Sequence, residues 1–254
     1  YTSCPCYLPV AQPPEESLKK EPSINKVLRE EKEDIEIAGF LAASLAWGQR
    51  PTIIKKCKEL MQLMDYAPYD FVMQAEDQDY ERFCNFKHRT FNSYDCVYFL
   101  RSLANIYRHH GGLETVFTRA YQKHQDMFEV LKEWYSVFTS LPAEARVLRH
   151  IANVEKGSAA KRVNMFLRWM VRHDGEVDFG LWKDIPTSAL LIPLDLHTGN
   201  VSRQLGLLTR NQNDRKAVEE LTARLREMDP VDPIRYDFSL FGLGAFEKYN
   251  RSNL

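Results

Sequence analysis

The chain has 254 residues, 44% of them hydrophobic and 27% charged, with a formal net charge of −1. That length and apolar fraction can supply a full core, as one domain or as two lobes, while the near-zero charge excludes a general electrostatic attraction to nucleic acid. An odd five cysteines do not read as a disulfide framework, and no 18-residue apolar run exists to make a transmembrane helix.

The opening YTSCPCYLPV lacks the basic start and long apolar core of a secretory signal, so a cytoplasmic protein without membrane association is expected. Residues 1–24 carry Pro5, Pro9, Pro13, Pro14 and Pro22 and read as a poorly ordered lead-in to a domain spanning 25–254. Cys4-Pro5-Cys6 is too isolated to be a metal site. Asn25 to Glu36 is dense in charge and reads as a solvated face. From Ile35 the period turns helical, with Ile37, Leu41, Ser44, Leu45 and Gly48 on one side.

Thr52–Met64 predicts a helix with Ile53, Ile54, Cys57, Leu60, Met61 and Met64 inward, and Tyr66–Met73 a short one after Pro68. Glu76–Arg89 reads as irregular. The phrase His88-Arg89-Thr90-Phe91-Asn92 fits a phosphate or base contact and a buried loop anchor equally well. Cys96–Arg108 predicts a helix closed by Gly111-Gly112. His109-His110 has no third ligand at usable spacing, so no metal is expected. Leu113–Gln122 and Met127–Phe138 predict two more helices, and Leu141-Pro142-Ala143 starts another running to Asn153.

The stretch from Glu155 to Leu208 carries the chemistry. A tight turn at Gly157 opens a helix with Ser158 as its expected N-cap and Val163, Phe166, Leu167, Met170 and Val171 on an apolar stripe. Lys161, Arg168 and Arg172 share the opposite face. With Ser158 capping, Lys161 takes the third helical position, where the dipole disfavours a cation. That field lowers the pKa expected for it, as an amine nucleophile near neutral pH requires. Asp195 reads as the N-cap of the next helix, through Val201, Leu205 and Leu208. From Glu144 to His173, seven Lys and Arg stand against two Glu, an excess of five positive charges suited to phosphates. His173–Ile192, with Trp182 and Pro186, reads as a linker forming a pocket wall. Asp214–Met228 predicts an amphipathic helix, and the aromatic Tyr236–Phe246 closes the core.

Two phrases in this stretch resemble the helix-hairpin-helix DNA glycosylase superfamily, the fold of endonuclease III and the 8-oxoguanine glycosylases. Pro193-Leu194-Asp195-Leu196-His197-Thr198 and Val201-Ser202-Arg203-Gln204-Leu205-Gly206-Leu207 are similar to the phrase that holds that superfamily's catalytic Asp. Gly157 fits the first glycine of its hairpin, Ala159 replaces the second, and Lys161 with Met165-Phe166-Leu167-Arg168 resembles the phrase of its catalytic lysine. From about Asp34 onward the chain also resembles an uncharacterised bacterial family of conserved hypothetical proteins. The phrases that carry this are FLAASLAWGQR (Phe40–Arg50), HRTFN (His88–Asn92) and YDFSLFGLG (Tyr236–Gly244).

The resemblance implies an all-α, helix-hairpin-helix DNA-glycosylase-like fold of two helical lobes around a cleft, a monomer acting on double-stranded DNA without a cofactor. It implies excision of a damaged base, an oxidised purine being the leading candidate, through a Schiff base on Lys161 with Asp195 stabilising the cationic sugar. Lys156, Gly157, Ser158, Arg162, Arg168, His197 and Arg203 would contact the DNA. No Cys follows Cys96, so an iron–sulfur loop after Asp195 is not expected. Two alternatives stay open: a non-catalytic nucleic-acid-binding protein that kept the fold, and a structural, partner-binding helical protein. Trp169, Trp182 and Phe246 are candidates for stacking on a base.

Overall fold

The computed structural model describes residues 24–174 and 177–245, with side chains from residue 32 onward. The Pro-rich lead-in, Cys4-Pro5-Cys6, the first part of the charged run and Phe246 lie outside those side chains. Among the described residues there are ten α-helices: α1 Ile24–Leu45, α2 Arg50–Leu63, α3 Pro68–Gln74, α4 Ser93–His109, α5 Leu113–His124, α6 Met127–Phe138, α7 Lys161–Val171, α8 Leu196–Gln204, α9 Arg215–Met228 and α10 Asp237–Ala245. The fold is mostly helical, as the 3.6-residue spacing predicts. None of these helices is long and apolar enough to cross a membrane. The described residues divide into two compact units, one up to Val116 plus Val137–His150, the other Phe117–Ser136 plus the residues from Ile151 onward.

In the first unit α1 packs on α2 and α3, and α3 on α4. Phe40, Phe99, Phe138 and Phe91 form a chain of ring contacts, with centroids 5.0 to 6.2 Å apart. The segment expected to be irregular is ordered. A capping box between Glu76 and Asp79 opens a 3-10 helix at Asp77–Phe83, and the two-residue strands β1 (Lys87–His88) and β2 (Phe91–Asn92) pair antiparallel. The strands are too short to leave an alternation in the sequence. His88 is buried and its Nε2 lies 3.0 Å from the Trp47 carbonyl, so the HRTFN phrase acts as a loop anchor. The helix expected over 141–153 is only a 3-10 turn, Val147–His150. The Leu141 carbonyl is taken by the Tyr98 hydroxyl, and Arg146 is drawn to Asn92 and Asp95 at the start of α4.

The second unit is built on α7. Its apolar stripe buries Val163, Phe166, Leu167, Met170 and Val171 as predicted. Trp182 corrects the expectation of a pocket wall: it is fully buried, its ring 5.4 Å from Phe166 and 5.5 Å from Phe117. Phe179, Gly180 and Trp182 donate backbone N–H bonds to the carbonyls of Trp169 and Met170, which fasten the linker onto α7.

The opposite face of α7 is a second interior. Arg168 is 1% exposed. Its Nε donates to Asp178 at 3.1 Å, its Nη1 to Asp237 at 2.6 Å, and the guanidinium lies 3.7 Å from the Phe238 ring centre. One turn on, Arg172 joins Asp178 at 2.7 Å and Asp232 at 2.9 Å. Burial pushes the carboxyls of Asp178 and Asp237 up, and the Arg168 charge opposes it. A buried cation needs such partners, and so do the carboxylates. Arg168→Met should therefore strand two buried carboxylates and cost about 3–5 kcal/mol in urea unfolding; a loss within 1 kcal/mol would show that the cluster is not structural.

The start of α9 offers a pH test. Asp214 caps the helix by accepting from Ala217 at 3.1 Å and pairs with Arg210, whose hydrogen bond is the main cause holding its carboxyl down at about 2. A depressed carboxyl contributes stability above its unfolded pKa, roughly 3.9, and loses it as pH falls through about 2. Arg210→Ala should move the Asp214 midpoint up toward the ordinary carboxylate range in a carbon-detected NMR titration. A midpoint that stays near 2 would assign the shift to the helix end alone.

Candidate active site

The site begins as a closed turn. The Asn153 side chain accepts from the amides of Glu155 at 2.9 Å and Lys156 at 3.3 Å, an Asx turn. Gly157, at φ 83°, donates to Val154, and the Ser158 amide returns to the Asn153 carbonyl. These amides are spent within the turn, so the expected backbone cradle for phosphate is not presented by Lys156, Gly157 or Ser158. The Lys156 side chain alone of that group points outward as an exposed cation.

Ser158 is not the N-cap. Its hydroxyl accepts from the Ala160 amide at 3.2 Å, Ala160 takes a left-handed backbone at φ 48°, and α7 starts at Lys161 with no side-chain cap. Lys161 thus occupies the first helical position rather than the third. Asn164 on the next turn donates its Nδ2 to the Ala159 carbonyl at 3.1 Å and holds the entry in place.

Asp195 is the N-cap of α8, as the sequence predicts. It accepts from the Thr198 amide at 2.8 Å. The segment that delivers it, buried from Leu190 to Leu194, is braced by α9. Arg226 donates to the carbonyls of Ser188, Ala189 and Leu190, and the Thr222 hydroxyl accepts from the Ile192 amide.

The two ends meet. Lys161 Nζ lies 3.1 Å from Asp195 Oδ2, with 36% of the lysine side chain and 13% of the aspartate exposed. The pair is therefore reachable from solvent on the lysine side. A helix N-terminus disfavours the lysine charge and favours the aspartate, so each side chain compensates the other's end.

The other candidate residues scatter. Arg168 is interior and bonded to carboxylates, so it cannot grip a phosphate. Arg203 donates to the Arg210 carbonyl at 2.7 Å and to Asn213, which makes it a bracket inside the fold. Burial pulls the Arg162 guanidinium down. His197 is exposed, its ring edge against Phe241 at 5.7 Å. Trp169 and Trp182 belong to the core and cannot stack on a ligand. The expected excess of positive charge over 144–173 is likewise divided: Arg146 pairs with Asp95, Lys161 with Asp195, and Arg168 and Arg172 with buried or half-buried aspartates.

Sequence reasoning missed Asn153, Asn164 and Asn213. The first was findable, because Asn four residues before a left-handed Gly is turn chemistry; the other two act across the fold and leave no local mark. Among the described residues no group of three or more His, Cys, Asp or Glu could hold a metal ion.

No curated protein and no solved structure matches the chain. One family does match, over residues 22–246, a span that includes Lys161, Asp195 and the loop between α8 and α9. It is described as a protein of unknown function (DUF2400), and the chain belongs to that family.

Proposed function

We propose that the protein is a DNA glycosylase with abasic-site lyase activity, acting on a damaged base such as an oxidised purine. The observation that carries this reading is the Lys161–Asp195 pair: an amine and a carboxylate 34 positions apart in sequence, 3.1 Å apart in space and open to solvent. The phrases around both residues resemble the helix-hairpin-helix glycosylases, whose chemistry uses a lysine and an aspartate in these places.

In this reading the target nucleotide is turned out of the duplex, since its C1′ is unreachable in the stack. The bond from C1′ to the base nitrogen breaks and the base leaves with the electron pair, while Asp195 stabilises the positive charge on the sugar. Lys161 passes a proton to Asp195 and its free amine adds to C1′; a proton then moves from the nitrogen to O4′ as the C1′–O4′ bond breaks, which opens the sugar and gives an iminium. Loss of the C2′ proton then expels the 3′ phosphate. Borohydride intercepts the iminium as a stable amine.

The second reading, a structural, partner-binding helical protein, is favoured by one observation. Arg168 and Arg203 are committed inside the fold and the hairpin amides are closed on themselves, so the phosphate contacts that any nucleic-acid binder needs are reduced.

Borohydride trapping on duplexes with an abasic site or 8-oxoguanine separates the two. Wild type should give a covalent adduct, Lys161→Gln none, and Asp195→Asn one formed about 10²–10⁴-fold more slowly with duplex affinity retained. Salt-sensitive binding without an adduct would leave a nucleic-acid-binding protein without this chemistry; absence of both would end the nucleic-acid assignment and transfer the case to the second reading.

A further inference from the structure

The end of the loop between α8 and α9 and the first residue of α9 together touch both halves of the site within three residues. Asn213 Nδ2 donates to the Asp195 carbonyl at 3.0 Å. Two residues on, the Arg215 amide donates to the Gly157 carbonyl at 3.0 Å, on the turn that leads into Lys161. The lysine and the aspartate come from separate segments, and this junction of loop and α9 is bonded to each.

The Asn213 carboxamide is fixed at its other end as well. Its Oδ1 accepts from Arg203 Nη2, and Arg203 is itself tied to the Arg210 carbonyl, so the amide can point its nitrogen only one way. Gly199 makes room for it: a Cβ there would stand 2.5 Å from Asn213 Oδ1 and 3.0 Å from Arg203 Nη1. A glycine inside a helix costs stability relative to alanine. Its presence in α8 thus has a steric cause in the approach of Asn213.

We propose that Asn213 is a positioning residue for the Lys161–Asp195 pair: admitted by Gly199 and oriented by Arg203, it holds the Asp195 backbone at the distance from the Gly157 turn that keeps carboxylate and amine in contact. It touches neither reacting group and acts through Asp195. The proposal rests on the glycosylase reading for its consequence in catalysis, but the contact it maintains exists without a substrate.

Two variants disturb the contact in different ways. Asn213→Asp keeps the acceptor for Arg203 and loses the donor to Asp195. Gly199→Ala expels the carboxamide while improving helix propensity. Asn211→Ala, exposed in the same loop, is the control. Three quantities are measured: the single-turnover trapping rate on an abasic duplex at saturating protein, the duplex Kd, and the rate of Lys161 methylation by formaldehyde and borohydride without DNA, relative to exposed Lys58. Both variants should slow trapping about 10- to 100-fold at unchanged Kd, and should speed Lys161 methylation several-fold because the amine is released from its carboxylate. Asn211→Ala should change none of these.

Gly199→Ala displaces Asn213 and crowds Arg203 together, so Asn213→Asp, which keeps the acceptor for Arg203 and loses only the donor to Asp195, decides against a merely structural role. Wild-type rates in both variants overturn the proposal, as does a trapping loss matched by an equal loss of duplex affinity. Should wild type form no adduct, the glycosylase reading fails, and the methylation ratio alone decides: an unchanged ratio overturns the positioning role and a raised one supports it.

Discussion

Two helix N-termini of the second unit converge on one carboxylate. Asp195 caps α8 through the Thr198 amide, and its other oxygen meets the lysine that opens α7. Without the carboxylate, α7 would begin with a cation in an unfavourable field and no side-chain cap; without the lysine, Asp195 would be an ordinary N-cap. The geometry of the site follows from this shared need. Each half is then fixed from behind, the lysine by the Asn153 turn and by Asn164, the aspartate by the α9 side chains that hold residues 188–192.

The same economy governs the far end of α7. Arg168 and Arg172 cannot be left unpaired in an interior, and four aspartates from the following linker, the approach to α10 and its first residue answer them. The cluster joins Asp174, Asp178, Asp232 and Asp237 to one helix face, while Trp182 packs on the apolar side. Through Asp237 the cluster also ties down the start of α10, and α10 packs against the nine-residue α8.

Much of this was legible from period and caps. The bounds of α6, the stripe of α7 and the Asp195 cap follow directly from apolar spacing and N-cap chemistry. What misled was the assumption that a helix has one buried face. Arg168 lies opposite the apolar stripe, and a polar face normally means solvent; here it faces aspartates 10 and 69 positions away, which no local window can see. The Ser158 assignment failed for a smaller reason. Ser158 closes a turn onto Ala160, and a left-handed alanine is not a conformation that sequence advertises. Asn213 was invisible because its role exists only once Gly199 and Arg203 are in place.

Pairing also bears on how the amine could work. A lysine in contact with a carboxylate must leave it, or give it a proton, before it can attack anything. With more than a third of its side chain exposed, Lys161 sits in a pair of the kind worth about 0–1 kcal/mol in water, roughly a factor of five in an equilibrium. That cost is small beside the gain from holding a nucleophile and its proton acceptor at contact distance, where orientation alone can lower a barrier by about 7–11 kcal/mol. The ion pair is therefore no argument against a nucleophilic lysine; it is the resting arrangement that such a lysine would be expected to have. The same arithmetic fails for Arg168, whose partners are buried and whose release would cost several kcal/mol, which is why the two cations of one helix face have different prospects: one can be lent to a ligand, the other cannot.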